Sequence, residues 1–506
     1  MKKIVASLLV ITMIACTIVG CGKSKETKKG GTSTKDIEIN VWNSGLGIAW
    51  LEALIEEFEK TYPEYNVYFN ETASEAAVVA AYGMEDVDTV DIYLSRKNYD
   101  ISYTEPLNEL LEVTAEGDSK PLLEKFNESY LALERTREGT IYSLSYGGGV
   151  LGLVYNKESF AKAGIKQLPR TTDELAVVCN TLFSKNMIPL CHSQGGGYWS
   201  YLEEAWFGQY EGSDYYINTF YGDPTKETFL KKDGRYEVLK ALEKVLTPDY
   251  VLSGSNTNDF TTMQTKFLNG EAAMMPNGSW LANEMKAGDK MDNFATMKLP
   301  VLSAVTDKLT TVKKESELRK VIDAIDAVTD GKEDITAYQQ GSDYVVNGKT
   351  VSSADWDYLY AARNTVPDNF AGLAMYIPSY SNAKEGAKEF MKFMYSDRGY
   401  KIYADTLHTT LPMQMSEGEL DMSEWNTFEK CQVDLLNECE QSFSVFNRSK
   451  HDIFSFGGAH AYADVKFETL FCSRNKADRL GADEAWEKIV HTIKDQYEST
   501  WLANIQ

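Results

Sequence analysis

The residues best suited to chemistry in this 506-residue chain are aromatic, and they sit where strands run out. Trp42 and Asn43 end the alternating run Ile37-Glu38-Ile39-Asn40-Val41. Tyr146 precedes the bend Gly147-Gly148-Gly149. Tyr198 and Trp199 follow Gly195-Gly196-Gly197, just past the apolar Ile188–Cys191. Asn277-Gly278-Ser279-Trp280 follows the apolar Ala272–Met275, and Phe456 and His460 lie in Phe454-Ser455-Phe456-Gly457-Gly458-Ala459-His460. Indole and phenol rings offer a flat apolar face and a polar edge, which suits stacking on flat ligands. Glycines at strand ends let a ligand approach the backbone closely. Each ring also has a plainer reading: Trp42 as a core residue beneath a loop, Trp280 as packing at a helix start. Trp206, eight residues past Tyr198 on the same helical run, reads as core.

Catalytic signatures are missing. There is no GxSxG elbow, no HExxH and no phosphate-binding loop, and both triple-glycine runs lack the Lys and helix that a P-loop needs. Five His and no CxxC pair give no metal or redox site, so neither a metal nor a cofactor is expected. Asp91, Glu203, Glu204 and Asp259 are candidate hydrogen-bond acceptors for a ligand, against the default of a solvated carboxylate.

These residues need elements to hold them. Ile37–Trp42 alternates with period two and reads as a strand. Trp50, Leu51, Leu54, Ile55 and Phe58 recur at helical spacing before Tyr62-Pro63 stops the helix. Asn66–Asn70 and Thr89–Leu94 read as further strands, with a helix over Glu75–Gly83 between them. This β-α-β-α-β order implies a mainly parallel sheet flanked by helices. Strands over 139–144 and 151–156 flank the glycine bend, and helices follow over Lys157–Ala163 and from Thr171–Glu174 to Ser184. Ile188–Leu190 and Ala272–Met275 read as short strands, and Trp199–Phe207, Val238–Leu246, Phe260–Phe267, 383–395 and 483–500 as helices. Residues 304–370 fit the alternation least, apart from a helix over Glu315–Val328.

The chain is too long for one core, since cores stop growing near 250–300 residues. Hydrophobic residues at 43% and charged residues at 25% exclude a polytopic membrane protein and a largely disordered one. A net charge of −24 excludes a nucleic-acid binder, which needs a basic stripe. The charge is unevenly spread: residues 1–35 carry +6, leaving −30 on the rest. Within that segment, Lys2 and Lys3 precede the apolar Ile4–Val19, which is shorter than the roughly 20 residues of a membrane span and reads as an export signal over 1–20. The polar stretch over 21–35 reads as a flexible tether. Five cysteines remain in the body, Cys179, Cys191, Cys431, Cys439 and Cys472. An odd number cannot all pair, so buried thiols are expected; Cys431 and Cys439 could bond only if the chain turned between them.

Thr17-Ile18-Val19-Gly20-Cys21 resembles the bacterial lipobox. That resemblance implies lipidation of Cys21 and anchoring to the outer face of a bacterial cytoplasmic membrane, most simply a Gram-positive one. Further fragments resemble the bacterial extracellular solute-binding proteins of the maltose-binding type. Leu153–Ile165 is similar to that family's YNKDLFEKAGI joint, and Leu168–Leu175 to PPKTWDEL, with Thr172 in place of the family's Trp. Phe267–Trp280 resembles F..GKAAM...GSW, and Ser381–Phe393 resembles SKNKEAAWEFLKFL. Four such matches in family order cover roughly residues 36–500.

The resemblance implies an α/β, two-lobed, periplasmic-binding-protein-like fold with a ligand cleft between the lobes. The expected division is 36–147 plus 371–408 for one lobe and 148–303 plus 409–506 for the other, with 304–370 an insertion of uncertain lobe. The chain would cross between lobes near Tyr146–Val150, within 301–372 and near Leu407–Pro412. It also implies a carbohydrate ligand delivered to the permease subunits of an ABC transporter by a monomeric receptor. An aromatic at Tyr198 or Trp199 and the indole of Trp280 would then stack on sugar, with Asn277 beside a hydroxyl. The competing class is a secreted carbohydrate-active enzyme, which needs two carboxylates about 5 or 6.5–9.5 Å apart across the cleft; sequence alone does not fix such a distance.

Overall fold

The computed structural model describes residues 34–72, 82, 89–96, 100–136, 138–222, 225–286, 288–331, 343–443, 461–463 and 465–496. Two large hydrophobic cores organise them. In the first, Ile37, Ile39 and Val41 turn inward and are at most 1% exposed. Their strand, Asp36–Trp42, lies in a five-stranded sheet between Asn66–Thr72 and Ile92–Arg96, both parallel to it. The chain returns much later as Leu373–Tyr376, antiparallel to Ile92–Arg96 and to the two-residue strand Leu144–Ser145. Helix Ala49–Thr61 buries Trp50, Leu51, Leu54, Ile55 and Phe58, the positions its periodicity picks out. Phe58 meets Phe390 and Phe393 of helix Lys384–Met394 at ring distances of 5.2 and 5.6 Å. Beneath them the buried Lys125 ammonium pairs with Asp118 at 2.5 Å and Asp397 at 2.8 Å, compensating a charge that would otherwise be costly to desolvate.

In the second core, strand Leu151–Asn156 runs between Met274–Gly278 and Phe294–Met297, antiparallel to both. The expectation of mainly parallel sheets is therefore corrected: the first sheet is mixed and the second wholly antiparallel. Hydrophobic alternation fixes which face of a strand is buried but carries no direction, and the connections here span more than a simple crossover helix. The segment 139–144 is a strand only at Leu144–Ser145, and Ile188–Leu190 contributes an isolated bridge at Leu190. The helices that follow Leu151–Asn156 are locally specified. Asn156 Oδ1 caps Lys157–Ala163 by accepting from Ser159 N–H at 2.9 Å, and Gly164 ends that helix in the left-handed region at φ 76°. Thr171 caps Thr172–Ser184.

Within 304–370, helices Glu315–Thr329 and Ser353–Arg363 bury Leu318, Ile322, Ile325, Trp356 and Leu359 in the second core. Leu411 and Met413 still pack in the first core, while helix Thr427–Asn437 reaches the second, where Gln432 Nε2 donates to Thr296 Oγ1 at 2.5 Å. All five body cysteines are free thiols. A continuous helix separates Cys431 from Cys439, which keeps the two apart. The helix expected over Glu75–Gly83 lies largely outside the described residues, as does the end of the last one, Ala482–Gln496. Among the described residues no helix is long and apolar enough to cross a membrane.

Candidate functional site

Three connections tie the two cores together. At Gly147–Val150, the Gly149 N–H donates to Asn369 Oδ1 at 2.9 Å, and Val150 bridges Asp368. Asn369 N–H in turn donates to Gly149 O at 3.3 Å. The third connection follows helix Asp397–Leu407, where Asn283 Nδ2 donates to Leu407 O at 2.8 Å. Ser279 fills the space beside Gly149 so tightly that a Cβ there would fall 1.7 Å from its Oγ. Glycine at 149 is thus required by close approach.

On the first-core side, parallel strands Asp36–Trp42 and Ile92–Arg96 end side by side, as strands that line a crevice do. Their last residues carry the chemistry: the Arg96 guanidinium lies 5.2 Å from the centre of the Trp42 ring. Trp42 is half-buried, because it falls on the opposite face from Ile37, Ile39 and Val41. Asn43 shapes its own loop, donating to Glu71 Oε1 at 2.9 Å and accepting from Gly47 N–H at 3.0 Å.

On the second-core side, Tyr198 meets Trp280 edge-on, with ring centres 5.2 Å apart at 70°, and Phe260 at 5.0 Å. Trp280 is half-buried and its six-membered ring lies over Gly278, where a Cβ would come within 2.3 Å. Burial raises the pKa of the Tyr198 and Tyr201 phenols; for both, the field of Arg96 pulls the other way. The Asn43–Gly47 loop reaches over: a Cβ on Gly45 would lie 3.9 Å from a Glu284 carboxylate oxygen.

Three residues expected in the cleft lie in the interior instead. Tyr146 is 1% exposed, stacked on Trp50 at 6.0 Å, with its hydroxyl donating to Trp42 O at 3.3 Å. Trp199 is 0% exposed, and its indole N–H donates to His192 Nδ1 at 3.1 Å. Asn277 is also fully buried, and its Oδ1 accepts from Gly278 N–H at 2.8 Å. For Trp199 the reason is its helix: Trp199–Glu211 is buried on nearly every face, whereas Tyr198 stands just before it and stays half-buried at the rim. Phe456 and His460 lie outside the described residues. Sequence reasoning missed Arg96 and Asn369; the strand end Ile92–Arg96 was the available signal for the first, and nothing in the polar 304–370 stretch marked the second.

The candidate acceptors are engaged elsewhere. Asp91 accepts from Glu38 N–H at 2.9 Å and from Ser381 Oγ at 2.5 Å. Asp259 caps helix Phe260–Leu268. Glu204 is buried, accepts from Tyr216 and Tyr221, and is pushed up to about 7 by burial against the pull of those hydroxyls. Glu203 is buried beside Glu468. Asp368, at the connection itself, is likewise raised to about 7 by burial, and accepts from Ser442 Oγ and Phe370 N–H. His192 is lowered to about 4 by burial, which outweighs its contact with Asn256. Among the described residues no cluster of three or more His, Cys, Asp or Glu side chains could hold a metal.

What this frame builds is a crevice with rings and one cation on its walls and glycine-mediated connections at its base. The family model for bacterial extracellular solute-binding proteins matches residues 44–401. The chain belongs to that family. Its relatives include a multiple sugar-binding protein from Streptococcus mutans, 23% identical over 310 residues, which are 59% of this chain and 70% of that one. A maltotriose-binding protein from Pyrococcus abyssi is 26% identical over 262 residues, 49% of this chain and 50% of that one. Among solved structures, the bacterial solute receptor AcbH, reported to prefer β-D-galactopyranose, superposes with a TM-score of 0.63 at 13% identity, covering 93% of this chain and all of that one. That likeness establishes the two-lobed fold of this family for the chain. The family is one of extracellular binding proteins, and nothing found supports the enzyme alternative.

Proposed function

We propose that this solute-binding protein captures a carbohydrate between its lobes and delivers it to the permease of an ABC transporter. The observation that carries the reading is the pairing of Tyr198 and Trp280 on one wall with Trp42 and Arg96 on the other. A pyranose has C–H faces for the rings and hydroxyls for the guanidinium and backbone. Stacking contributes on the order of 1 kcal/mol per ring, and hydrogen bonds to charged groups roughly 1.5–3 kcal/mol. A few such contacts suit micromolar affinity, about −8 kcal/mol. We take 36–147 with 370–413 as one lobe and 148–369 with the chain from 427 as the other, following the cores in which the described residues of each stretch are mainly buried. The names of the relatives favour sugar as the ligand class. Lipidation at Cys21 would hold the protein on the outer face of the membrane, as a monomer beside its permease.

The test is calorimetry and thermal shift against a panel of neutral mono- and oligosaccharides, with product analysis on the same samples. Saturable binding without turnover is the expected result. Cleavage of the bound sugar, or no binding across the panel, overturns it.

A further inference from the structure

The turn that presents Tyr198 has no side chains to hold it. Gly195, Gly196 and Gly197 all lie in the left-handed region, at φ 70°, 85° and 59°. What supports the turn is a carboxyl group. A Cβ on Gly196 would come within 2.9 Å of Glu468 Cδ and Oε1, so the turn rests directly on that side chain. Glu468 stands on the short helix Phe467–Phe471, and its carboxyl neighbours that of Glu203, on the helix that Tyr198 begins. Both glutamates are nearly fully buried, at 2% and 3% exposure. Two carboxylates have only acceptors, so a bond between them requires one proton held in common. Among the described residues, Glu203 Oε1 and Glu468 Oε2 have no hydrogen-bond partner, nor does the buried Ser193 Oγ at the start of the turn.

We propose that Glu203 and Glu468 form a positioning pair that holds one proton between them, seats the Gly195–Gly197 turn, and thereby sets Tyr198 for ligand. Losing that proton places two like charges in a buried site, and the pair separates by releasing the turn, which makes ligand capture weaken in alkaline medium. The neighbouring charges do not cancel this. Lys466, ahead of the short helix, favours ionisation, whereas Glu204 on Glu203's own helix opposes it. Arg235 is already paired with Asp233 at 2.8 Å, and Cys472 is raised by burial, with Glu468 adding to the rise. Burial raises both glutamates above the ordinary carboxylate range; the Glu468 carboxyl adds to the rise of Glu203, whereas Glu203 pulls Glu468 the other way without cancelling its burial. The part of the proposal that concerns ligand rests on Tyr198 being a contact residue.

The experiment uses the full chain, wild type and Glu468→Gln, in which the amide supplies the donor hydrogen without a titrating proton. Hydrogen exchange of 193–198, corrected for the intrinsic rate, is followed without sugar between about pH 6 and 8, with melting temperature alongside. The wild type is expected to lose protection in the turn and to melt lower as pH rises; Glu468→Gln keeps its protection and shows a shallower slope. For an oligosaccharide bound in the panel, wild-type affinity should fall about three- to tenfold over that range, half to one pKa unit of difference between free and bound forms, and the variant's should hold. Turn protection in the wild type that does not change with pH overturns the pair, whatever the variants do. Equal slopes in wild type and Glu468→Gln also overturn it, and Glu203→Gln gives the same reading if the first variant does not fold. A pH-dependent turn in a protein that binds no sugar supports the pair while overturning the carbohydrate reading.

Discussion

Replacing Trp280 with alanine removes a half-buried indole whose only ring contact among the described pairs is the edge-on meeting with Tyr198 at 5.2 Å. If the indole lies flat under a sugar, one of its faces is covered on binding. A fully buried aromatic removes about 150–250 Å² from water, so one face accounts for roughly 75–125 Å². At about 25 cal/mol per Å² that is about 2–3 kcal/mol, a loss of roughly 30- to 150-fold in affinity. Stability should change less. The aromatic pair with Tyr198 contributes about 0.5–1.5 kcal/mol, and the space vacated over Gly278 opens towards the crevice. Calorimetry with the panel's best ligand reads the first quantity and thermal unfolding the second; Trp280→Phe should retain part of the affinity. Unchanged affinity together with a large fall in melting temperature would refute the reasoning and make Trp280 a core residue, leaving Trp42 and Tyr198 as the stacking rings.

Five further outcomes are expected. Gly149→Ala forces a methyl onto Ser279 at the connection between the cores, and should cost about 1–3 kcal/mol in urea unfolding, as overpacking does. His192 titrates near 4 when folded and near 6.5 when unfolded, so its contribution is intact above pH 6.5 and is lost as pH falls towards 4, roughly 3 kcal/mol in all; His192→Gln should flatten that limb of the stability profile. The raised carboxyls of Glu204 and Asp368 act in the opposite sense, losing stability as pH climbs through about 7, so Asp368→Asn should flatten the other limb. Cys21→Ala should release the protein into the medium, and continued fractionation with membranes would contradict lipidation. Small-angle scattering should show a smaller radius of gyration at saturating sugar, and an unchanged radius would argue against closure.

Much of the first core was legible because its signals are local. Period-two alternation marked the strand whose Ile37, Ile39 and Val41 lie inside, and helical spacing selected Trp50 to Phe58. The crevice was less legible because adjacent residues there have opposite fates. Tyr198 and Trp199 are neighbours in sequence, yet one lines the rim and the other is sealed against His192. Helix Trp199–Glu211 is buried on nearly every face, so periodicity drew no line between the two. Strand direction in the second core, and the approach of Asn369 to Gly149, depend on contacts distant in sequence, which periodicity does not encode.

The division of labour between the two walls bears on how capture could become movement. The second core contributes three rings, with Tyr198 touching both Phe260 and Trp280 whatever the other lobe does. The first contributes one indole and one guanidinium. A sugar that docks on the ring cluster alone gains stacking but leaves its far hydroxyls in water. Contact with Arg96 and Trp42 is gained only if the lobes approach, so the bound sugar has a differential affinity for the closed arrangement, and only such a difference can shift the equilibrium. Moving from mostly open to mostly closed takes about 5.5 kcal/mol of that difference, which two or three hydrogen bonds to a charged group at roughly 1.5–3 kcal/mol each can supply. Arg96→Gln should therefore spare the initial docking on the rings while reducing closure, separating a modest loss in affinity from a large loss in compaction.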